Sequence, residues 1–279
     1  LINERHNSGY VTVTIRADII RDLNQCTASD NIKTIALTRF ALKNRRQAAT
    51  GAIFELGDEV AQQLANQIKN AAGNIALSQL HSHTQQWQQR RQPVPTNIEL
   101  APQSELAQQS DAQFLLSGEI TDISMAPTRS WLGLIQDTPV RQFSLALNLY
   151  QGSNGELIWQ KTYHSSAPWD YALQEQVDVT SAGFWKSHYG MAINHQLNQV
   201  NNDLNERLSC EKVTGQIVKV DSDQVTINLG SLHGLKVGDK LKVIHRGSFS
   251  DAQGIVRQTS VISDTQLEVS QLGRYHLVA

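Results

Sequence analysis

Charge is scarce in this sequence. Asp, Glu, Lys and Arg make up 18% of 279 residues, against roughly 25% in an average soluble protein. With 24 basic and 26 acidic side chains the formal net charge is −2 when the nine histidines are neutral. No global positive field exists to hold a phosphate backbone or an anionic membrane, so nucleic-acid binding is not expected. Long apolar runs are missing too: none approaches the roughly 20 residues of a membrane-crossing helix. Cysteine is limited to Cys26 and Cys210, and neither sits in a context that would lower a thiol pKa. The polarity comes instead from Gln and Asn, as in Gln85, Gln86, Gln88 and Gln89, read as solvated surface rather than a low-complexity tract.

A 40% hydrophobic content is adequate for packed cores, and the length suggests two or three compact units. The chain opens on Leu1 and Ile2 and runs into a strand pattern, Val11, Val13 and Ile15 alternating with Thr12, Thr14 and Arg16. That opening reads as a fragment whose start, with any secretory signal, lies upstream. A second strand is expected over 33–40 (KTIALTRF). Next comes a helix from Asp58 as N-cap to Gly73, with Val60, Leu64, Ile68 and Ala72 every fourth residue. A strand over 75–80, a short helix over 104–110 and a strand over 113–123 complete a β-α-β-α-β order. Alternating Phe143, Leu145, Leu147 and Leu149, then the turn GSNG at 152–155 and residues 157–164, predict a hairpin. A long helix over 188–208 carries Ile193, Leu197, Val200, Leu204 and Leu208 on one face. From Lys212 the texture turns to short strands at regular spacing, which predicts a small β-barrel of the SH3-like kind.

Signatures of catalysis are thin. His81-Ser-His83 places two imidazoles on one strand face, yet no third ligand has a completing spacing, so no metal site is expected. No G-x-S-x-G elbow is present. Gly230-Ser-Leu-His-Gly-Leu-Lys-Val-Gly238 lacks the order of a phosphate loop, and its glycines are assigned to turns. No catalytic residue and no cofactor is expected. Trp131, Leu132, Leu134 and Ile135 put bulky apolar residues in the loop between Pro127 and Pro139. Such a loop either contacts a partner or folds back on its own sheet. Cys26 and Cys210 bracket the central region and invite a disulfide in an oxidising compartment, against two buried thiols in a reducing one.

Several stretches taken together resemble the flagellar assembly protein T family. They are KTIALTRF at 33–40, AQFLLSGEITD at 112–122, Trp159 with Tyr163 and Trp169, and FWKSHYG at 184–190 with LSC at 208–210. The C-terminal part adds TGQIVKV at 214–220, VTINLG at 225–230 and Gly238-Asp239. The resemblance implies a periplasmic, non-enzymatic part of the basal body of polar, sodium-driven flagella. Its expected place is the H ring around the LP ring, supporting assembly of the T ring, with self-association into a ring. It implies an α+β multidomain fold: residues 1–27 as a remnant of an N-terminal α/β domain, 28–210 as an α/β domain similar to the N-terminal domain of TolB, and 211–279 as the small barrel. Competing readings are an assembly factor of another envelope or secretion system, and a hydrolase or carbohydrate-binding enzyme whose residues converge only in space.

Overall fold

The computed structural model describes residues 2–7, 10–15, 31–82, 101–126, 130–131, 135–136, 138–254 and 256–279. At the start, β1 (Ile2–Asn7) pairs antiparallel with β2 (Tyr10–Ile15), Ile2 opposite Ile15. The strand read from Val11, Val13 and Ile15 therefore takes its partner from the segment just before it.

The central sheet is built from β3 (Lys33–Thr38), β4 (Ala41–Leu42), β5 (Ile75–His81), β6 (Phe114–Asp122), β9 (Val140–Gln151) and β10 (Leu157–Pro168). Between β6 and β9 lie the short strands β7 (Ser130–Trp131) and β8 (Ile135–Gln136), paired with each other. The order across the sheet is β10-β9-β6-β3-β5, with β4 on β6. Connections dictate direction. Helix α1 (Leu56–Asn70) lies between β3 and β5 and helix α2 (Pro102–Gln109) between β5 and β6, so β3 pairs parallel with both neighbours. The tight turn after Gln151 instead makes β9 and β10 antiparallel, as β6 and β9 are.

Every residue of β3 is buried. Ile35 and Leu37 join the main core, while Ala36 packs on the opposite face with Ala107 and Leu115. Helix α3 (Ala182–Lys186) leads into α4 (His188–Ser209), and α1 and α4 pack together over the main-core face. All five apolar positions read along α4 are fully buried; each such side chain contributes about 1.5–3 kcal/mol when removed from water. Asp58 proves not to be the N-cap of α1. The helix starts at Leu56, with Asp58 and Glu59 in its first turn, where carboxylates favour the positive end of the helix dipole. Asp58 reaches Arg39 at 2.9 Å. The early start is possible because Gly57 lies against the Phe40 carbonyl, where an added Cβ would sit 2.1 Å away. The far end also differs: α1 stops at Asn70 and Ala71 turns extended, before Gly73.

The C-terminal strands are β11 (Ile217–Asp221), β12 (Gln224–Ile227), β13 (Lys240–Ser250), β14 (Val256–Glu268), β15 (Gln271–Leu272) and β16 (Leu277–Val278). They form a four-stranded sheet, β11-β12-β16-β15, and a separate two-stranded ribbon, β13-β14. Their small core of Ile227, Leu229, Val269 and Leu277 is distinct from the central one. The expected closed barrel is not found among the described residues. Where short strands were expected, residues 256–268 form one long strand, β14, paired with β13 from Lys240↔Glu268 to Ser250↔Val256 with a single register shift. Among the described residues no strand joins that ribbon to β11. The architecture is mixed α+β, dominated by sheet.

Candidate interaction surfaces

Arg141, on β9, organises the end of the central sheet from which the loop carrying Trp131 departs. Its side chain is fully buried with no carboxylate bonded to it among the described residues. Nε donates to the Ile123 carbonyl (3.0 Å), Nη1 to Thr50 (2.9 Å) and Nη2 to Gln47 (2.7 Å). The guanidinium lies 4.4 Å from the Trp169 ring centroid and 5.8 Å from that of Tyr189. Three carbonyl dipoles and two aromatic faces thus replace water around the cation. Burial still lowers its pKa, but a guanidinium stays charged at any pH a protein survives. The Trp169 N–H of the backbone donates to Pro139, and Gly51, at φ +83°, fits under the Trp169 ring where a Cβ would come within 2.7 Å.

The loop between β6 and β9 is pinned beside this cluster. Ala126 donates to the Val140 carbonyl at 2.7 Å, and Gln142 donates to Ser124 at 2.8 Å. Beyond that point Trp131 pairs with Ile135 in β7-β8. Leu132 and Leu134, and the side chains of Trp131 and Ile135, lie outside what the structure describes.

At the opposite end, Cys210 caps α4; Cys26 lies outside the described residues. Arg207 bonds Glu211 at 2.5 Å, and Asn205 Oδ1 accepts from the Asn74 N–H at 3.1 Å, tying the helix end to the start of β5. Lys33 is fully buried, which lowers its pKa, while the charge of Glu211 opposes the shift.

Groups with chemical potential are held by local structure. His81 Nε2 meets Ser110 Oγ at 2.7 Å, and His83 lies outside the described residues. Among the described residues no cluster of three or more His, Cys, Asp or Glu gathers to hold a metal. Ser144 Oγ meets His164 Nδ1 at 2.8 Å, a pair that sequence reasoning missed because the two lie on neighbouring strands. Asp122, opposite Ser144 across β6 and β9, is itself committed to Gln47 and Ser124. Burial pushes the Asp122 carboxyl up, but those hydrogen bonds outweigh it and hold the pKa low. On α4, Asp203 takes Lys161 Nζ at 2.6 Å and the Tyr163 hydroxyl. Burial, then that acceptor, raises the Tyr163 pKa, and Tyr189 is raised by burial.

A cleft of about 610 Å3 separates β11 from the β13-β14 ribbon, bordered by Lys212, Ile217, Lys240, Lys242, Ile244 and Ile262. It abuts the central sheet's periphery at Gln108 and Ser153. Nearby, Gln113 Nε2 donates to the Thr214 carbonyl at 2.7 Å and Asn228 Nδ2 to Asp111 at 3.1 Å, fixing the C-terminal sheet to the central one.

These features define a sheet-rich α+β protein whose charged and aromatic residues brace strand ends and loops. The chain belongs to the flagellar assembly protein T family: residues 24–179 match the model of its middle domain and residues 222–276 that of its C-terminal domain. Its role is therefore in flagellar assembly, a task carried out with other flagellar components. Among solved structures, the chain is similar to the hypothetical protein CT253 of Chlamydia trachomatis, at 13% identity and a TM-score of 0.44, covering 65% of this chain and 99% of that one. It is also similar to the PelC dodecamer subunit of Paraburkholderia phytofirmans, at 16% identity and a TM-score of 0.38, covering 64% and 92%. Lipoprotein GNA1162 of Neisseria meningitidis follows at 14% and 0.34, covering 61% and 99%. Likenesses this distant carry no functional weight. No curated protein matches the chain. Among the described residues no helix is long and apolar enough to cross a membrane.

Proposed function

We propose that this chain is a structural component of the flagellar basal body, acting in the periplasm as part of the H ring. It is needed there for assembly of the outer rings and for motility. The observation that carries the reading is the pair of family matches over residues 24–179 and 222–276. The mechanism is docking: contacts to LP-ring and T-ring proteins and to further copies of the same chain, with no reaction catalysed and no cofactor or metal required. When many copies surround one axis, each added contact becomes effectively intramolecular, so modest interfaces hold a stable collar.

The proposed parts are an N-terminal segment at 1–27, a TolB-like middle domain at 28–210 and an SH3-like strand set, left open, at 211–279. A Cys26–Cys210 disulfide clasps the two ends of the middle domain. What supports it is that Cys210 is not a free thiol and Cys26 is the only other cysteine in the chain. The loop carrying Trp131, Leu132, Leu134 and Ile135 contacts a partner, its two described ends tied together by the Ala126–Val140 and Gln142–Ser124 hydrogen bonds. Deletion of the gene tests the role: swimming should be lost and restored by the intact coding sequence, whereas unimpaired swimming would refute it.

A further inference from the structure

The C-terminal sheet and its ribbon leave an unfilled position between two strands. Strand β11 pairs with β12 along one edge, β13 pairs with β14 along one edge, and among the described residues neither has a partner on its other edge. Residues 240–244 of β13 line a cleft of about 610 Å3, and β11 reaches the same cleft through its first residue, Ile217. The composition of β11, Ile-Val-Lys-Val-Asp, is that of a strand meant for burial, yet all five residues are exposed, Val218 at 56% and Val220 at 69%. Across the cleft Ile244 and Ile262 are 43% and 64% exposed. An apolar strand with a free edge is a template for another strand.

The charge on the lining chooses its class. Lys212, Lys240 and Lys242 border the cleft, and among the described residues no carboxylate does; Glu268 lies opposite Lys240 on the other strand of the ribbon. We infer that this cleft takes an extended segment of a partner protein by strand addition, and that the segment alternates acidic and β-branched apolar side chains. Backbone hydrogen bonds to β11 or β13 supply affinity. Ile217, Ile244 and Ile262 receive its apolar side chains, and the three lysines favour its carboxylates and reject a basic strand. This rests on the docking reading above and names one partner chemistry for it.

The test uses the intact chain and three synthetic ten-residue peptides: alternating Glu and Val, alternating Lys and Val, and the first with every second Val replaced by Pro. Fluorescence anisotropy at low salt should show saturable binding of the Glu-Val peptide alone, since proline cannot supply the ladder N–H. Lys240→Glu combined with Lys242→Glu should weaken that binding about tenfold or more and admit the Lys-Val peptide. Both lysines are exposed, so the double variant is expected to fold, and its thermal unfolding checks this. Equal binding of all three peptides, no binding of the Glu-Val peptide, or indifference to the double substitution would each overturn the inference. Concentration-dependent dimerisation abolished by the same substitutions would overturn it in favour of a second copy. A peptide result leaves the flagellar role untouched, because that role is read by swimming.

Discussion

Replacing Arg141 by Met should be among the most destabilising single changes in the chain. Met keeps the buried stem but strands three carbonyls, of Gln47, Thr50 and Ile123, that accept from the guanidinium at 2.7–3.0 Å. A buried acceptor left without its donor costs about 1–3 kcal/mol. Three of them set an upper figure of about 9 kcal/mol, and loss of the stacking on Trp169 adds about 1–2 kcal/mol. Against that, the variant no longer has to hold a charge out of water, a saving of several kcal/mol. The net expectation is a loss of about 3–5 kcal/mol. Arg141→Lys keeps the charge but has one ammonium for three divergent carbonyls, and should fall between parent and Met variant, at about 2 kcal/mol. Urea unfolding followed by Trp fluorescence measures both, with the midpoint shifting and the slope unchanged. If Arg141→Met stays within about 1 kcal/mol of the parent, or Lys fully replaces Arg, the carbonyl clasp is not what holds the 45–52 segment to the sheet.

Gly51→Ala combines positive φ with a Cβ 2.7 Å from the Trp169 ring and should cost at least about 1–3 kcal/mol in the same assay. His233 is buried with Nδ1 accepting from the Gly230 N–H at 3.0 Å, and burial lowers its pKa. The unfolded chain takes up a proton below about pH 6.5 that the folded chain resists. Stability of the C-terminal strands is thus fully present above that pH and falls below it, and hydrogen exchange at pH 7.5 and 5 should show the fall blunted in His233→Asn. If Cys26 and Cys210 are bridged, their joint replacement by Ser should lower stability by on the order of 4–5 kcal/mol; two thiols counted in the denatured, unreduced protein would refute the bridge. Trp131→Ala with Leu132→Ala should weaken partner capture while thermal unfolding stays nearly unchanged, and a large drop in melting temperature would show that the loop packs on its own sheet.

Periodic burial was legible in the sequence. The alternation in β9 and the spacing along α4 placed Phe143, Leu145, Leu197 and Leu204 in the core, where each is fully buried, because burial repeats with the period of the backbone. The start of α1 was misread: Asp58 has the chemistry of an N-cap, but the limit is set by how closely Gly57 approaches Phe40, a tertiary fact. The C-terminal barrel was misjudged for a similar reason. Strand spacing reports how many segments can pair, not which edges meet, so the long β13 and β14 read as short strands of a barrel. Arg141 and the Ser144–His164 pair had no local signal, since their partners come from segments far away or from the neighbouring strand.

Electron microscopy of basal bodies purified from a deletion strain is the decisive test of the proposed structural role in the basal body. Hook and rod structures should be stripped of their outer ring density, with the rings restored when the intact coding sequence is returned. Complete outer rings in the absence of this protein would contradict that role.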